Sequence, residues 1–400
     1  MKLLLVGGTD SPHIARWLRQ LDGLGWETHL FAAYEGAICS TLANTTVYSQ
    51  LARVDDAFLT ASLSPSVRVC STSNFDWSFP RSPRDVVELI RVIRDLPGPQ
   101  EKLARLVTEL RPDVIHSFET QTGGYLTLAA RALVSGGFPP WIHSLWGNDI
   151  YWFGREPEHA PRIRAVLSAA DVLLADCRRD VRLAHEWGFT GARSAVFPGP
   201  GGFDLSAMRQ LRLPGHTSDR RVIAVKGYQD DRGRGLVAVD AVRRCAAELA
   251  CHEIVVYRAS REVAHAAEAL REDLGLNVTV MPLAPVEEIW RLMGRSRVAI
   301  GLALSDGTPN TMLEAMVMGA FPIQSATEGL EDWIDDSVNG LLVLPEDADN
   351  VAQALKRALA EDSLVDSAFR ANTSIADLRL SADVVTPQVI ALYEAVASNA

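Results

Sequence analysis

Two α/β domains, each a doubly wound parallel sheet, are predicted by three features of the sequence. The chain has 400 residues, too many for one ordinary core and enough for two domains of roughly 150–200 residues. Short apolar runs of strand length alternate with longer segments of helical periodicity, the signature of βαβ units. The alternation breaks once, at Pro198-Gly199-Pro200-Gly201-Gly202 and the loop-like stretch to Pro214-Gly215-His216-Thr217, where the domain boundary belongs.

In the first half, Leu3–Val6, Thr28–Ala32, Val114–His116, Trp141–Leu145, Val172–Ala175 and Ser194–Phe197 read as strands, with helical patterns such as His13–Leu24 and Leu103–Leu110 between them. In the second half the strands are Val222–Val225, Glu253–Tyr257, Val278–Met281, Val298–Leu302, Phe321–Gln324 and Gly340–Val343. Helices follow at Leu236–Leu249, Val263–Leu274, Val286–Met293 and Asn310–Gly319. These give Rossmann-like domains over 1–205 and 206–380. The last segment, 381–400, contains a helix near Ala382–Ala397 with no partner strand, expected to pack back on the amino-terminal domain. Two open parallel sheets facing one another leave a cleft, and ligands bind beyond the carboxyl ends of such strands.

Composition narrows the function. With 48% hydrophobic and 22% charged residues the chain is globular, and its net charge of −11 argues against a nucleic-acid partner. A local basic patch touching anionic lipid stays open. The apolar start Leu3–Val6 stops at Gly7-Gly8, short of a signal-peptide core, and reads as a buried strand. No apolar run of about 18 residues predicts a membrane span. The five cysteines are scattered, odd in number and without a C-x-x-C pair, which points to free thiols in a reducing cytoplasm. Peripheral contact with the inner membrane face is left open, as is oligomeric state.

Chemistry concentrates in Ser305-Asp306-Gly307-Thr308-Pro309-Asn310-Thr311-Met312-Leu313-Glu314. A strand feeds a loop and the loop feeds a helix, with Thr308 expected as N-cap and Pro309 as the first helical residue. A helix N-terminus offers unpaired amides and a positive dipole end, which suits phosphate. Asp306 before the helix and Glu314 in its second turn add two acceptors for a polyhydroxylated ligand with a diphosphate in its middle. A capped helix with two surface acids would show part of this pattern, but not Gly307, Pro309 and Glu314 together.

The segment resembles the E-x7-E motif of glycosyltransferase family 4, the retaining group 1 enzymes of GT-B fold. The resemblance extends through Gly319–Ser325 and Asp336–Val343, strongly over about 220–370 and more loosely before it. It implies that Glu314 binds the donor ribose and Asp306 the transferred sugar, where the family norm at the first position is Glu. It also implies that the carboxy-terminal domain holds a nucleotide diphospho-sugar as co-substrate, with no other cofactor, and that the amino-terminal domain binds the acceptor.

Lys226 ends a strand and Arg232 follows six residues later, before a helix. Two cations there can neutralise a diphosphate without a metal. The family pattern has Arg first and Lys six residues on; here the two are exchanged, and Lys lacks the bidentate fork of Arg. Arg234 is the alternative to Arg232.

In the amino-terminal half, Gly7-Gly8-Thr9-Asp10-Ser11-Pro12-His13 joins the first strand to its helix. Gly8 is the expected backbone donor to phosphate, and His13 is a candidate for the acceptor side. His116 resembles the family's strand-end histidine near the reacting centre. His143, Trp146 and Asp149 lie in a segment like the family's H-G-S-D stretch, where aromatics can stack on sugar rings. Pro198–Asp204 resembles the family's P-N-G-V-D turn. No metal ligands are evident: Asp347 and Asp349 match D-x-D only by letters and read as capping acids.

The expected function is therefore a retaining, metal-independent glycosyltransferase moving a sugar to a glycan, glycolipid or secondary metabolite, with polysaccharide biosynthesis among the settings. A sugar-nucleotide epimerase or phosphorylase and a non-catalytic sugar-nucleotide binder are the alternatives. A nicotinamide oxidoreductase, with Glu35 on a ribose, leaves the Asp306–Glu314 motif unexplained.

Overall fold

The computed structural model describes residues 1–50, 63–72 and 97–398. The chain forms two compact units, Met1–Gly201 with Thr386–Ala400, and Gly202–Val385.

The first unit is built on a sheet of eight strands among the described residues: β1 (Lys2–Gly7), β2 (Glu27–Ala32), β3 (Thr46–Ser49), β4 (Arg68–Ser71), β5 (Val114–Phe118), β6 (Trp141–Ser144), β7 (Val172–Ala175) and β8 (Arg193–Val196). Their order is β4-β3-β2-β1-β5-β6-β7-β8, with every neighbouring pair parallel. Helices cover both faces, so Leu3, Leu4, Leu5 and Val6 are all fully buried and β1 reads as a continuous apolar run. The chain winds outward both ways from the β1/β5 pair, which is the switch point where open α/β sheets bind ligands.

Two strands here were not expected. β3 and β4 have four residues each and are only partly buried, so they lack the apolar run that marks the others. The helix expected over His13–Leu24 spans Pro12–Arg19, because Gly23 and Gly25 take φ of 80° and 70° in the turn beyond it. Ser11 caps it, accepting from the Ile14 amide at 3.4 Å, and Pro12 fills the first position, where no N–H is needed.

The second unit has β9 (Val222–Lys226), β10 (Glu253–Tyr257), β11 (Asn277–Val280), β12 (Ser296–Gly301), β13 (Phe321–Ser325) and β14 (Leu341–Val343) in the order β11-β10-β9-β12-β13-β14, again all parallel. One face packs Val239, Val242, Leu270 and Leu355 from helices Gly235–Arg244, Arg261–Leu274 and Ala348–Ala360. The other packs Leu292, Met312, Met316 and Met318 from Val286–Arg295 and Asn310–Met318. The switch point falls between β9 and β12, so the loops after those strands meet at one sheet edge. Both units are Rossmann-like, as the sequence predicts. The helix Ala382–Ala397 is present as expected, and its residues from Thr386 onward belong to the first unit.

Candidate functional site

In the second unit Lys226 is the last residue of β9, opposite Tyr257 on β10. It is half-buried, and its Nζ lies 5.7 Å from the Tyr228 ring. No carboxylate pairs with it among the described residues. The following turn is tight: the Gly227 amide donates to Tyr257 O at 2.8 Å, and a Cβ on Gly227 would sit 2.7 Å from Ala259 Cα, so only glycine fits. Asp230 then accepts from the Arg232 and Gly233 amides at 2.8 and 2.6 Å. Burial opposes its charge, but those amides and the Arg232 guanidinium hold its carboxyl below the usual range. Arg232 Nη2 is 3.6 Å from Asp230 Oδ2.

This loop is stitched to the one after β12. The Leu304 amide donates to Arg232 O at 2.8 Å and the Arg234 amide to Leu302 O at 3.0 Å. Lys226, Arg232 and the Ser305–Thr311 segment are thereby brought to one edge. Arg234, the alternative second cation, lies 3.2 Å from Glu346 Oε1, so each of the two arginines has a carboxylate neighbour.

The acidic motif takes the expected strand–loop–helix form with one correction. The helix begins at Asn310 and Pro309 is its N-cap, not Thr308. The Thr308 hydroxyl instead accepts from Trp333 Nε1 at 3.1 Å, which fixes the loop from beneath, and Pro309 O accepts from the Met312 and Leu313 amides. Asp306 Oδ1 accepts from the Gly307 amide at 3.0 Å. Glu314, one turn into the helix, is 5% exposed. Burial, and after it the Glu314 charge, pushes the Tyr257 phenol up. The helix ends at Gly319 with φ 83°, a left-handed cap that favours glycine. Lys226, Gly301, Asp306, Pro309, Gln324 and Thr327 line one small recess at this edge. Tyr257, Asp230 and Gln324 were not singled out from sequence. The available signal was a polar residue closing or interrupting an apolar strand, or an acid just ahead of Arg232.

In the first unit, Gly8 follows β1 and a Cβ there would lie 2.2 Å from the Tyr34 hydroxyl; that hydroxyl donates to Asp10 Oδ1 at 2.8 Å. His13 meets Trp146 edge-on, with centroids 5.7 Å apart, and Trp146 lies 5.6 Å from Phe118. Both are part-exposed at the carboxyl edge of the sheet. The structure places the remaining candidates differently. His116 is fully buried; its Nδ1 is 2.5 Å from the Tyr393 hydroxyl and its Nε2 is 2.7 Å from Ser144 Oγ. Burial keeps it neutral, so it is a core residue, not a group at a reacting centre. His143 is likewise fully buried between Ser117 Oγ at 2.8 Å and Thr120 Oγ1 at 2.9 Å, its pKa lowered to about 3 by burial. It has no nitrogen to offer an acceptor. Asp149 is 4% exposed and its Oδ2 accepts from the Thr120 and Trp146 amides at 3.0 and 3.2 Å. Burial and then the Glu119 charge push it up to about 7. It clamps two loops together and does not face an acceptor.

Glu119 itself is a residue that sequence reading missed. It has φ 59° and opens a π-helical turn, Glu119–Gly124, directly after β5; such geometry clusters at functional sites. A cavity of about 820 Å3 lies at the opposite edge of this unit, beside Asp113, Pro140, Asp171 and Arg193, and no predicted site residue lines it.

Among the described residues, two groups of ligand-type side chains bring their atoms within 4.8 Å of one another: Glu156, Glu158 and His159, and Asp176, Cys177 and Asp180. In the second, burial and Asp176 hold Cys177 as the thiol, and Arg179 Nε donates to Asp180 Oδ1 at 2.8 Å. Asp347 caps the helix Ala348–Ala360, accepting from the Asp349 and Asn350 amides, as read from sequence.

Comparison with known proteins agrees with the fold. A profile described as a glycosyl transferase 4-like domain matches residues 9–200, and one described as glycosyl transferases group 1 matches residues 221–361. No curated protein matches the chain by sequence. Among solved structures, sucrose-phosphate synthase from Thermosynechococcus elongatus superposes with a TM-score of 0.72 at 16% identity, over 100% of both chains. Anabaena HepE in complex with UDP-glucose gives 0.68 at 14%, over 99% of this chain and 100% of that one. A glycosyltransferase from Rickettsia africae gives 0.63 at 12%, over 100% and 99%. At these identities the structures speak for the GT-B fold alone. The two profiles leave only residues 1–8, 201–220 and 362–400 outside, and the chain belongs to the group 1 glycosyltransferases.

Proposed function

We propose that this enzyme is a retaining, metal-independent transferase that takes a sugar from a nucleotide diphospho-sugar held by the second unit. The observation that carries the reading is Lys226, a half-buried cation with no carboxylate partner among the described residues, at the same sheet edge as Asp306 and the start of the helix Asn310–Met318. HepE, which shares the fold, has been solved with UDP and glucose, which supports a nucleoside diphosphate as the ligand class. Lys226, Arg232 and the first-turn amides of that helix neutralise the diphosphate. Glu314 takes the ribose and Asp306 a sugar hydroxyl.

In the reaction the bond from the anomeric carbon to the diphosphate oxygen breaks and its electron pair stays on that oxygen. A bond from the acceptor oxygen forms on the same face, and the acceptor's proton passes to the departing diphosphate. Stabilising the charge that grows on the leaving group is the main catalytic contribution of these residues. The acceptor is a glycan, glycolipid or secondary metabolite met by the first unit, with His13 and Trp146 at the edge where it is read. All five cysteines are free, which suits the cytoplasm. Among the described residues no helix is long and apolar enough to cross a membrane, so a lipid acceptor would be met by peripheral contact.

A thermal-shift panel of UDP, GDP, ADP, dTDP, their hexose conjugates and NAD(P)H tests the reading. One nucleoside diphosphate and its sugar at 100 times Kd should stabilise the protein by about 2.7 kcal/mol, equally with and without EDTA. A response to NAD(P)H alone overturns the donor assignment. A response restored only by Mg2+ or Mn2+ overturns metal independence.

A further inference from the structure

Gln324 stands out in the apolar strand β13. Phe321 and Ile323 point into one core of the second unit, whereas Gln324 projects from the other face at the strand's carboxyl end and is only 4% exposed. Its neighbour across the ladder is Gly301. A Cβ on Gly301 would lie 2.8 Å from Gln324 Oε1 and 3.0 Å from Nε2, so glycine at 301 gives the amide room to lie across the strand end. Among the described residues no hydrogen bond engages that side-chain amide. The amide is open to the recess beside it, where a ligand can pair with it.

The amide lines the same recess as Lys226, Asp306 and Thr327, and the space there is about 10 Å3, room for one water-sized group. We infer that Gln324 is a specificity-determining contact for the transferred sugar, binding a single hydroxyl of the donor in this recess. The inference rests on the donor site assigned above. The group bound is a hydroxyl because an amide both donates and accepts, as a hydroxyl does, whereas a phosphate oxygen only accepts. Asp306 in the same wall repels a phosphate and accepts from a hydroxyl. A nucleoside diphosphate without its sugar therefore makes no use of Gln324.

Calorimetric titration with the nucleoside diphosphate and the nucleotide-sugar that shift the wild-type protein in the panel tests this. Gln324→Ala should weaken the nucleotide-sugar at least tenfold and leave the nucleoside diphosphate within about twofold. Gln324→Met, which fills the same volume without polar atoms, should do the same and covers the case in which the alanine variant fails to fold. Equal losses for both ligands would make Gln324 a structural or phosphate contact and overturn the inference, as would unchanged affinity for both. A wild-type protein that binds none of the panel overturns the donor site itself, a result distinct from any pattern among the variants.

Discussion

At the scale of single residues, Glu314 is where burial and chemistry meet. A carboxylate that is 5% exposed, one helical turn from a cluster of first-turn amides and close enough to Tyr257 to raise its phenol, is held in one orientation by its surroundings. That fixed orientation suits the two adjacent hydroxyls of a ribose, which a carboxylate can accept from together. Glu314→Ala should cut kcat/KM at least 100-fold, about 2.7 kcal/mol of lost transition-state stabilisation. Glu314→Gln keeps the shape and one acceptor and should lose less. Wild-type kinetics in the alanine variant, measured by sugar transfer or donor hydrolysis, would remove the ribose assignment.

At the scale of elements, the loops after β5 and β6 hold a buried set whose titration has opposing signs. His116 and His143 are pushed below their ordinary value by burial. The unfolded chain therefore binds more protons than the folded one below about pH 6.5, and stability falls as pH drops through that point. Asp149 is pushed up from 3.8 to about 7 by burial and the Glu119 and Asp180 charges. There the folded chain binds more protons, and stability falls as pH rises from about 4 to 7. Between those limits the two effects oppose each other, and above 6.5 Asp149 acts alone. Asp149→Asn should flatten the decline of unfolding free energy between pH 6.5 and 8 by about 1 kcal/mol and steepen the loss between 6.5 and 5 by about 2 kcal/mol. Urea unfolding at the three pH values decides it, and parallel profiles for wild type and variant would refute the assignment.

The same elements show what the sequence made legible. Strands buried on both faces, such as β1 and β9, announce themselves as apolar runs, and the Asp306–Glu314 segment can be read because its spacing fixes a loop and a helix start. β3 and β4, the last two strands toward one edge of the sheet, have four mostly part-buried residues each and so carry no such run. His116 and His143 were misread for a related reason. Both lie inside their strands, β5 running on to Phe118 and β6 to Ser144, and in a sheet covered on both faces such a residue is buried, here against Tyr393, Ser144, Ser117 and Thr120. Gln324 lies in a run that the sequence marks only by family likeness, because nothing in sequence tells that its amide opens on the recess.

At the scale of the whole molecule, the chain enters the second unit at Gly202 and leaves it at Val385, returning its last residues to the first. The return is held by more than apolar contact. Tyr393 is fully buried; its hydroxyl accepts from Trp17 Nε1 at 2.9 Å and faces His116 Nδ1, while its ring stands 5.8 Å from Trp26. The terminal segment is therefore a core element of the first unit and no appendage to it. Tyr393→Phe keeps the ring and removes the hydroxyl, leaving the indole N–H of Trp17 and a ring nitrogen of His116 buried without partners. The expected loss is about 2–4 kcal/mol of unfolding free energy. Because the donor site lies in the other unit, affinity for the nucleoside diphosphate should be unchanged at temperatures where the variant stays folded. Denaturant unfolding paired with calorimetric titration separates the two effects. A variant as stable as wild type would show that the hydroxyl contacts contribute nothing to holding the terminal segment.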